Sequence, residues 1–209
     1  MAYEFNGTNQ FLLSASAPVT AAPLTLACWF NPDLLHTGAL CAVQSFSAPN
    51  WFALFTDNTG KVIASTVFSG NGSAATTTAN YSTGSWNHCC GVFSSSTSRT
   101  IYLNGANSVT NTQSRTPTGV NQTVIGARRF SGAYSAFSDG QIAEVGIWNA
   151  ALTAEEVGSL AKGMTCDKVR PQSLVFYAPL VRDLIDQKGG LTITNNNGAT
   201  VANHPRIYP

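Results

Sequence analysis

The feature that most constrains this chain is its punctuation. Apolar runs of strand length are interrupted along most of the sequence by Gly, Asn, Ser and Thr. Leu24, Leu26, Cys28 and Phe30 alternate with Thr25, Ala27 and Trp29, which puts the two sets on opposite faces of a strand. Trp51 to Phe55 is a second run. Asp57-Asn58-Thr59-Gly60-Lys61 then reads as a hairpin loop, and Val62 to Phe68 as the returning strand. Trp86, His88, Cys90 and Val92 share one face of the next strand. Thr100 to Leu103 follows, with a turn at Asn104-Gly105. Val124-Ile125-Gly126 and Ile142 to Trp148 add more strands. Nothing alternates strand with helix in a βαβ manner. The pattern predicts an all-β protein, a two-sheet antiparallel jelly-roll sandwich.

One helix is signalled inside this β pattern. Thr153-Ala154-Glu155-Glu156 has the spacing of a capping box, with Leu152 and Val157 placed as a hydrophobic staple. Lys162 suits the negative end of the helix and Gly163 provides the stop. The spacing predicts a short helix over 154–162. Beyond it, Leu174 to Leu180 reads as a strand that Pro179 ends or confines to an edge. Leu191 to Thr194 reads as a last short strand.

With 209 residues and no internal linker, the chain reads as one domain with enough length for a sizeable core. Only 10% of residues are charged, against roughly 25% in ordinary globular chains. Ser, Thr, Asn and Gln must therefore supply the solvent face, which suits uncharged hydrogen-bonding partners such as sugars, or packing against protein. Net charge is +1, and Arg128-Arg129 is the only adjacent basic pair. A nucleic-acid partner, which calls for a clustered basic footprint, is not expected. No apolar stretch approaches the length of a membrane helix, so no membrane insertion is expected. Met1-Ala2-Tyr3-Glu4-Phe5 enters a strand-like run without a signal-peptide pattern, so the expectation is synthesis in the cytoplasm. Without a secretory signal, the glycosylation sequons at Asn6, Asn71, Asn80 and Asn121 carry little weight.

Cys28, Cys41, Cys89, Cys90 and Cys166 are odd in number and form no CxxC pair. Cys89 and Cys90 are strand neighbours and point to opposite faces, so they do not share a metal. Small buried hydrophobes in a reducing compartment is the reading they support.

Several segments, in order, resemble laminin-G-like domains of the concanavalin A-like lectin and glucanase superfamily. Tyr3-Glu4-Phe5-Asn6-Gly7 is similar to their opening F-(D/N)-G strand. Leu24 to Phe30 resembles xTxxxWF, and Trp86 to Phe93 resembles WxHVAxxF. Ile101-Tyr102-Leu103-Asn104-Gly105 matches xYLNG, and Ile125-Gly126 matches xIG. Phe137 to Leu152 resembles the closing FxGxIDEVRIYNRAL. The resemblance covers residues 3–162 and implies a concanavalin A-like sandwich. One departure stands out: LVxYxPL…D…GG…GAT normally opens such domains. Here Leu174 to Leu180, Asp186, Gly189-Gly190 and Gly198-Ala199-Thr200 come last. Either residues 172–209 complete the sandwich from the other end of the chain, or they reach out to a partner. The first is favoured, because sandwich termini often lie close together. The whole layout is also similar to laminin-G-like proteins of tailed bacteriophages.

Candidate chemistry follows from the residues and from that resemblance. Hydrolases on this sandwich need two carboxylates across a groove, in one branch as E-x-D-x-x-E, and no such run exists. Glu155 and Glu156 are explained by helix capping, while Glu144 and Glu4 stand apart in sequence. His88 sits in a core strand facing away from Cys89, so no Cys-His pair is expected. No cofactor is required. Calcium, which laminin-G-like and pentraxin-like domains often hold, would find oxygen donors in Asp57, Asn58, Asp139 and Glu144, though Ile142-Ala143-Glu144 lacks one carboxylate of the family's IDE. For sugar contact, Trp51, Arg128, Arg129, Phe130 and Tyr134 are the ligand-binding candidates, the last four within a loop rich in Gly, Ser and aromatics. Trp29 is a candidate exposed ring, whereas Trp86 and Trp148 are assigned to the core.

The sequence reading is therefore a non-catalytic structural or adhesion protein, a phage virion surface component in a decoration or fibre position. Its expected partners are other virion proteins or its own copies, with cell-surface glycans as contacts. A soluble calcium-dependent lectin is the alternative, and a glycoside hydrolase the third reading.

Overall fold

The computed structural model describes residues 1–208. In chain order the first strands are β1 (Ala2–Asn6), β2 (Phe11–Ser14), β3 (Leu24–Asn31), β4 (Ala39–Gln44), β5 (Trp51–Thr56), β6 (Val62–Phe68), β7 (Asn71–Thr76) and β8 (Asn87–Ser95). They are followed by β9 (Ser98–Leu103), β10 (Ala106–Asn111), β11 (Gln122–Ile125), β12 (Arg128–Phe130), β13 (Ala133–Ser135) and β14 (Asp139–Trp148). Helix α1 (Ala154–Ala161) precedes β15 (Leu174–Ala178), β16 (Thr194–Asn196) and β17 (Thr200–Ala202).

Two antiparallel sheets face each other, as the strand punctuation predicts. The first runs β10-β9-β8-β3-β14-β1-β17, with β15 also on β14; the second runs β16-β2-β11-β4-β5-β6-β7. Leu24, Leu26, Cys28 and Phe30 of β3 enter the core between the sheets together with Leu54, Ala64, Cys89, Phe93 and Ile147. Gly91 is required there, because a Cβ would meet Leu54 Cδ2 at 2.6 Å. The opposite faces of β3 and β8 are also covered. Ala27, Cys90 and Val92 pack with Trp148, Val157 and Leu160 beneath α1. Burial on both faces explains why β8 reads as a nearly continuous apolar run.

Helix α1 forms as its cap predicts. Glu156 N–H donates to Thr153 Oγ1 at 3.3 Å, and Thr153 N–H donates to Glu156 Oε2 at 2.7 Å. Val157 and Leu160 are its buried residues, and burying side chains of this kind stabilises by ~1.5–3 kcal/mol each. Glu156 also takes a fork from Arg170, whose Nε and Nη2 reach its two oxygens at 2.8 and 2.7 Å.

Strand β14 organises the closing segment. Glu144 adopts φ +53, and the pairing of β14 with β3 shifts register between Ala143 and Gly146. Before this bulge β14 pairs with β1, and after it with β15. β17 pairs with β1 and β16 with β2, so the C-terminal stretch contributes strands to both sheets. The last strand expected at Leu191 to Thr194 lies instead at Thr194–Asn196. Asp186 accounts for the shift: its carboxylate accepts the N–H groups of Lys188, Gly189 and Leu191 and holds that segment as a turn.

Trp148 is fully buried, but Trp86 is not a core residue. It is half-buried immediately before β8, ahead of the part of that strand beneath α1. Trp29 is also half-buried, its indole edge-on to His88 at 5.3 Å. All five cysteines are buried and unpaired, and burial pushes the Cys41 thiol up to about 12.

Candidate functional site: an aromatic and cationic hairpin on the second sheet

Gly132, at φ +87, turns β12 back onto β13, and the hairpin lies against the outer face of the second sheet. It is seated there by two kinds of contact. Tyr134 stacks on Phe11 at 4.2 Å and donates to Gln122 Oε1 at 3.1 Å. Arg129 N–H donates to Gln44 Oε1 at 2.9 Å. Gln44 and Gln122 are register partners on β4 and β11. Both are buried, and both side-chain amide nitrogens lack a partner.

The two arginines go opposite ways. Arg129 donates from Nε to Phe46 O at 2.8 Å, and its guanidinium stacks on Phe46 at 4.2 Å and near Tyr134 at 5.4 Å. Arg128 lies over Trp51 at 5.1 Å, Phe130 at 4.9 Å and Phe55 at 5.9 Å. Trp51 and Phe130 meet edge to face at 6.0 Å. Burial lowers the Arg128 guanidinium from its ordinary value, yet that value is so high that the group stays charged.

The structure thus brings Trp51, Arg128, Arg129, Phe130 and Tyr134 into one region, with different duties. Trp51 is a strand residue. It opens β5, is buried, and donates Nε1–H to Ser65 Oγ at 3.2 Å. It serves as a platform for Arg128 rather than as an open ring. Tyr134 and Arg129 hold the hairpin down. Phe130, 40% exposed, and Phe46, 56% exposed, present the open aromatic surface. Phe55, Phe46, Phe11, Gln44 and Gln122 escaped the sequence reading. Only Phe55 had a local signal, since it follows Trp51 at strand spacing and shares its face.

The four oxygen donors named for a metal do not converge, and the described residues contain no cluster of three or more His, Cys, Asp or Glu side chains that could hold an ion. Asp57 Oδ1 is engaged within its turn, accepting from Thr59 N–H, Thr59 Oγ1 and Lys61 N–H at 2.8 to 2.9 Å. Burial raises its carboxyl, but these hydrogen bonds outweigh burial and leave it below the ordinary value. Asn58 is exposed beside it. Asp139 opens β14 opposite Asn6. Glu144 is buried and turned inward, accepting from Tyr177 Oη at 2.6 Å with His204 Nε2 at 3.2 Å. Asp57 lies in the β5–β6 turn of the second sheet, whereas Glu144 lies on β14 of the first and is engaged by Tyr177 and His204.

Glu4 is the other acid of interest. Burial, and then the nearby charges of Asp33 and Asp139, raise its carboxyl above the usual range, although a hydrogen bond with Gln141 opposes them. The cavity beside Asp139, lined by His36, Thr56 and Gln141, has a volume of about 10 Å³. That is room for about one water.

Fold and site together define an antiparallel β-sandwich with an aromatic and cationic patch on the outer face of its second sheet. The chain belongs to the concanavalin A-like lectin/glucanases superfamily, whose family model matches residues 5–158. No curated protein matches it in sequence. Solved structures share the fold. A native heptameric SAP-like pentraxin from Limulus polyphemus is 18% identical with TM-score 0.72, the match covering 97% of this chain and 94% of that one. Domain 4 of an extracellular arabinanase from Geobacillus stearothermophilus, in complex with arabinotriose, is 19% identical with TM-score 0.61, covering 77% and 76%. The carbohydrate-binding module of a Ruminococcus gnavus sialidase, bound to α2,3-sialyllactose, is 14% identical with TM-score 0.61, covering 77% and 98%.

Proposed function

We propose that the chain is a non-catalytic adhesion module that takes glycans on the hairpin face of its second sheet. One observation carries this reading: Arg128 is fixed on Trp51 and Phe130 while the rings of Phe130 and Phe46 remain open. Open aromatic rings stack on sugar C–H faces, and the flanking cation and hydroxyls supply directed hydrogen bonds. The fold is shared with modules solved in complex with arabinotriose and sialyllactose, which supports the ligand class. A non-catalytic role agrees with the positions of the acids. The cavity that Asp139 lines holds about 10 Å³, too little for a sugar, and Glu144 is sealed against Tyr177.

The finer reading places the module on a phage virion surface, as a decoration or fibre component. It rests on the low share of charged residues and on the resemblance of the layout to phage laminin-G-like proteins. Self-assembly belongs to this reading, and the fold is one that a heptameric pentraxin shares. Light scattering of the purified protein would show a fixed oligomer.

The test is a glycan array probed with calcium and with chelator. Binding that ignores chelator is the expected result. Chelator-sensitive binding would favour the calcium-dependent lectin and direct attention to Asp57, Asn58 and Asp139, since Thr56 and Asp139 already line one cavity. Release of reducing ends from a bound glycan would favour a hydrolase. No binding under either condition would overturn the glycan reading.

A further inference from the structure

The hairpin face has an electrostatic character of its own. Between Asp57 and Asp139 the sequence contains no Asp or Glu, whereas Lys61, Arg99, Arg115, Arg128 and Arg129 all fall there. That stretch supplies β6, β7, β11 and the hairpin, and also β8, β9 and β10 of the first sheet, where Arg99 lies. The remaining strands of the second sheet, β2, β4, β5 and β16, have no acidic residue either. The strands of the second sheet therefore carry neither carboxylate nor cation, and the hairpin arginines are the charges laid over its outer face.

Four of those five cations are engaged by the protein itself. Arg99 donates to Ser73 Oγ and Asn111 Oδ1, both at 2.6 Å, and to the carbonyls of Ser96 and Gln113. Arg115 donates to Asn71 O and Ser114 O, Arg129 to Phe46 O, and Lys61 to Thr78 O. Arg128 differs. Among the described residues its guanidinium makes no hydrogen bond, and no ion pair includes it. Its nitrogens are not sealed in the interior. Three aromatic rings nevertheless fix its position. A half-buried cation held by rings, with its donor fork unmatched and open, is arranged for an anion brought from outside.

We propose that Arg128 receives a carboxylate, and that the glycans taken by this face are acidic saccharides bearing a uronate or another sugar carboxylate. The inference rests on the glycan-binding reading above and deepens it. The planar fork donates to both carboxylate oxygens side by side, which a lysine ammonium cannot reproduce. Stacking on Trp51 orders the side chain before the ligand arrives, so little of its freedom is lost on binding. The exposed ring of Phe130 then lies beside the bound group for contact with the sugar's C–H face.

The experiment compares matched pairs: uronate- and sialate-terminated oligosaccharides, and the same oligosaccharides after reduction of the carboxyl to an alcohol. Affinities are measured for the wild type, Arg128→Gln, Arg128→Lys and, as a control at the end of helix α1 over the first sheet, Lys162→Gln. The expected result is binding of the carboxylate forms that falls on the order of tenfold or more on reduction and with Arg128→Gln. Arg128→Lys should restore it only in part, and Lys162→Gln should leave it unchanged. Which acid binds better separates the two sugar types. Equal binding of reduced and unreduced pairs would overturn the inference while leaving the glycan reading in place. Binding of nothing would overturn both. Carboxyl reduction alters only the ligand, so the test stands even where Arg128→Gln disturbs the hairpin.

Discussion

Tyr177 donates its phenolic hydrogen to Glu144 at 2.6 Å and so ties β15 to the bulge of β14. His204, from the segment after β17, approaches the other carboxylate oxygen at 3.2 Å. Burial and then the Glu144 charge hold the phenol well above its usual range, so it remains a donor. Glu144 has φ +53 and is buried, a combination that persists only where the surroundings enforce it. Replacing Tyr177 with Phe leaves a buried carboxylate short of a donor, and the expected loss is about 1–3 kcal/mol. Urea unfolding of Tyr177→Phe, His204→Ala and the double variant measures this. Because all three groups share one network, the two losses should not add.

His88 gives the protein a pH-dependent stability. It is buried with Nδ1 unpartnered, and burial pulls its imidazole down to about 3 from 6.5. The unfolded chain therefore binds a proton between those values while the folded chain does not. Stability is full above pH 6.5 and falls as pH drops toward 3, by up to ~1.4 kcal/mol per unit from this group. Unfolding measured at pH 7.5, 6 and 5 should show the decline, and His88→Leu should flatten it.

The start of α1 rests on two partners of Glu156. Thr153→Ala removes the cap and should lower stability by about 1 kcal/mol. Glu156→Ala removes the reciprocal cap bond and the Arg170 fork together. Thermal melts should therefore rank Glu156→Ala below Thr153→Ala, with Glu156→Gln between Glu156→Ala and wild type.

Gly140 and Gly84 make a controlled pair. Both have positive φ, +102 and +62. A Cβ on Gly140 would fall on the Asn31 carbonyl and within 2.8 Å of Pro32 Cα, whereas one on Gly84 meets nothing within 4 Å. Gly140→Ala should lower stability by about 3 kcal/mol or more, and Gly84→Ala by about 1 kcal/mol. Equal melting temperatures would contradict the close approach at Gly140.

The fold was legible because its signals are local. Capping at Thr153 and Glu156 involves neighbours in the chain, and strand alternation around Leu26 and Cys28 depends only on the period of two. Six ordered motifs, from Phe5-Asn6-Gly7 to Ile147-Trp148, carried the family in the same way. The loop from Arg128 to Phe137 could be marked as a candidate contact surface by its composition, but where each side chain packs there could not be read.

The sequence by itself determined the all-β class, the helix and its cap, and the family. Periodicity, capping and turn chemistry act over a few residues and need no distant partner. Only the tertiary structure decided that Arg128 stands free on Trp51 while Arg129 is held by Phe46, two adjacent arginines with opposite fates. It alone joined Glu144 to Tyr177 and His204 and left Trp86 half-buried. Each of these depends on a residue far along the chain that pairing between strands brings alongside, and no local pattern encodes that meeting.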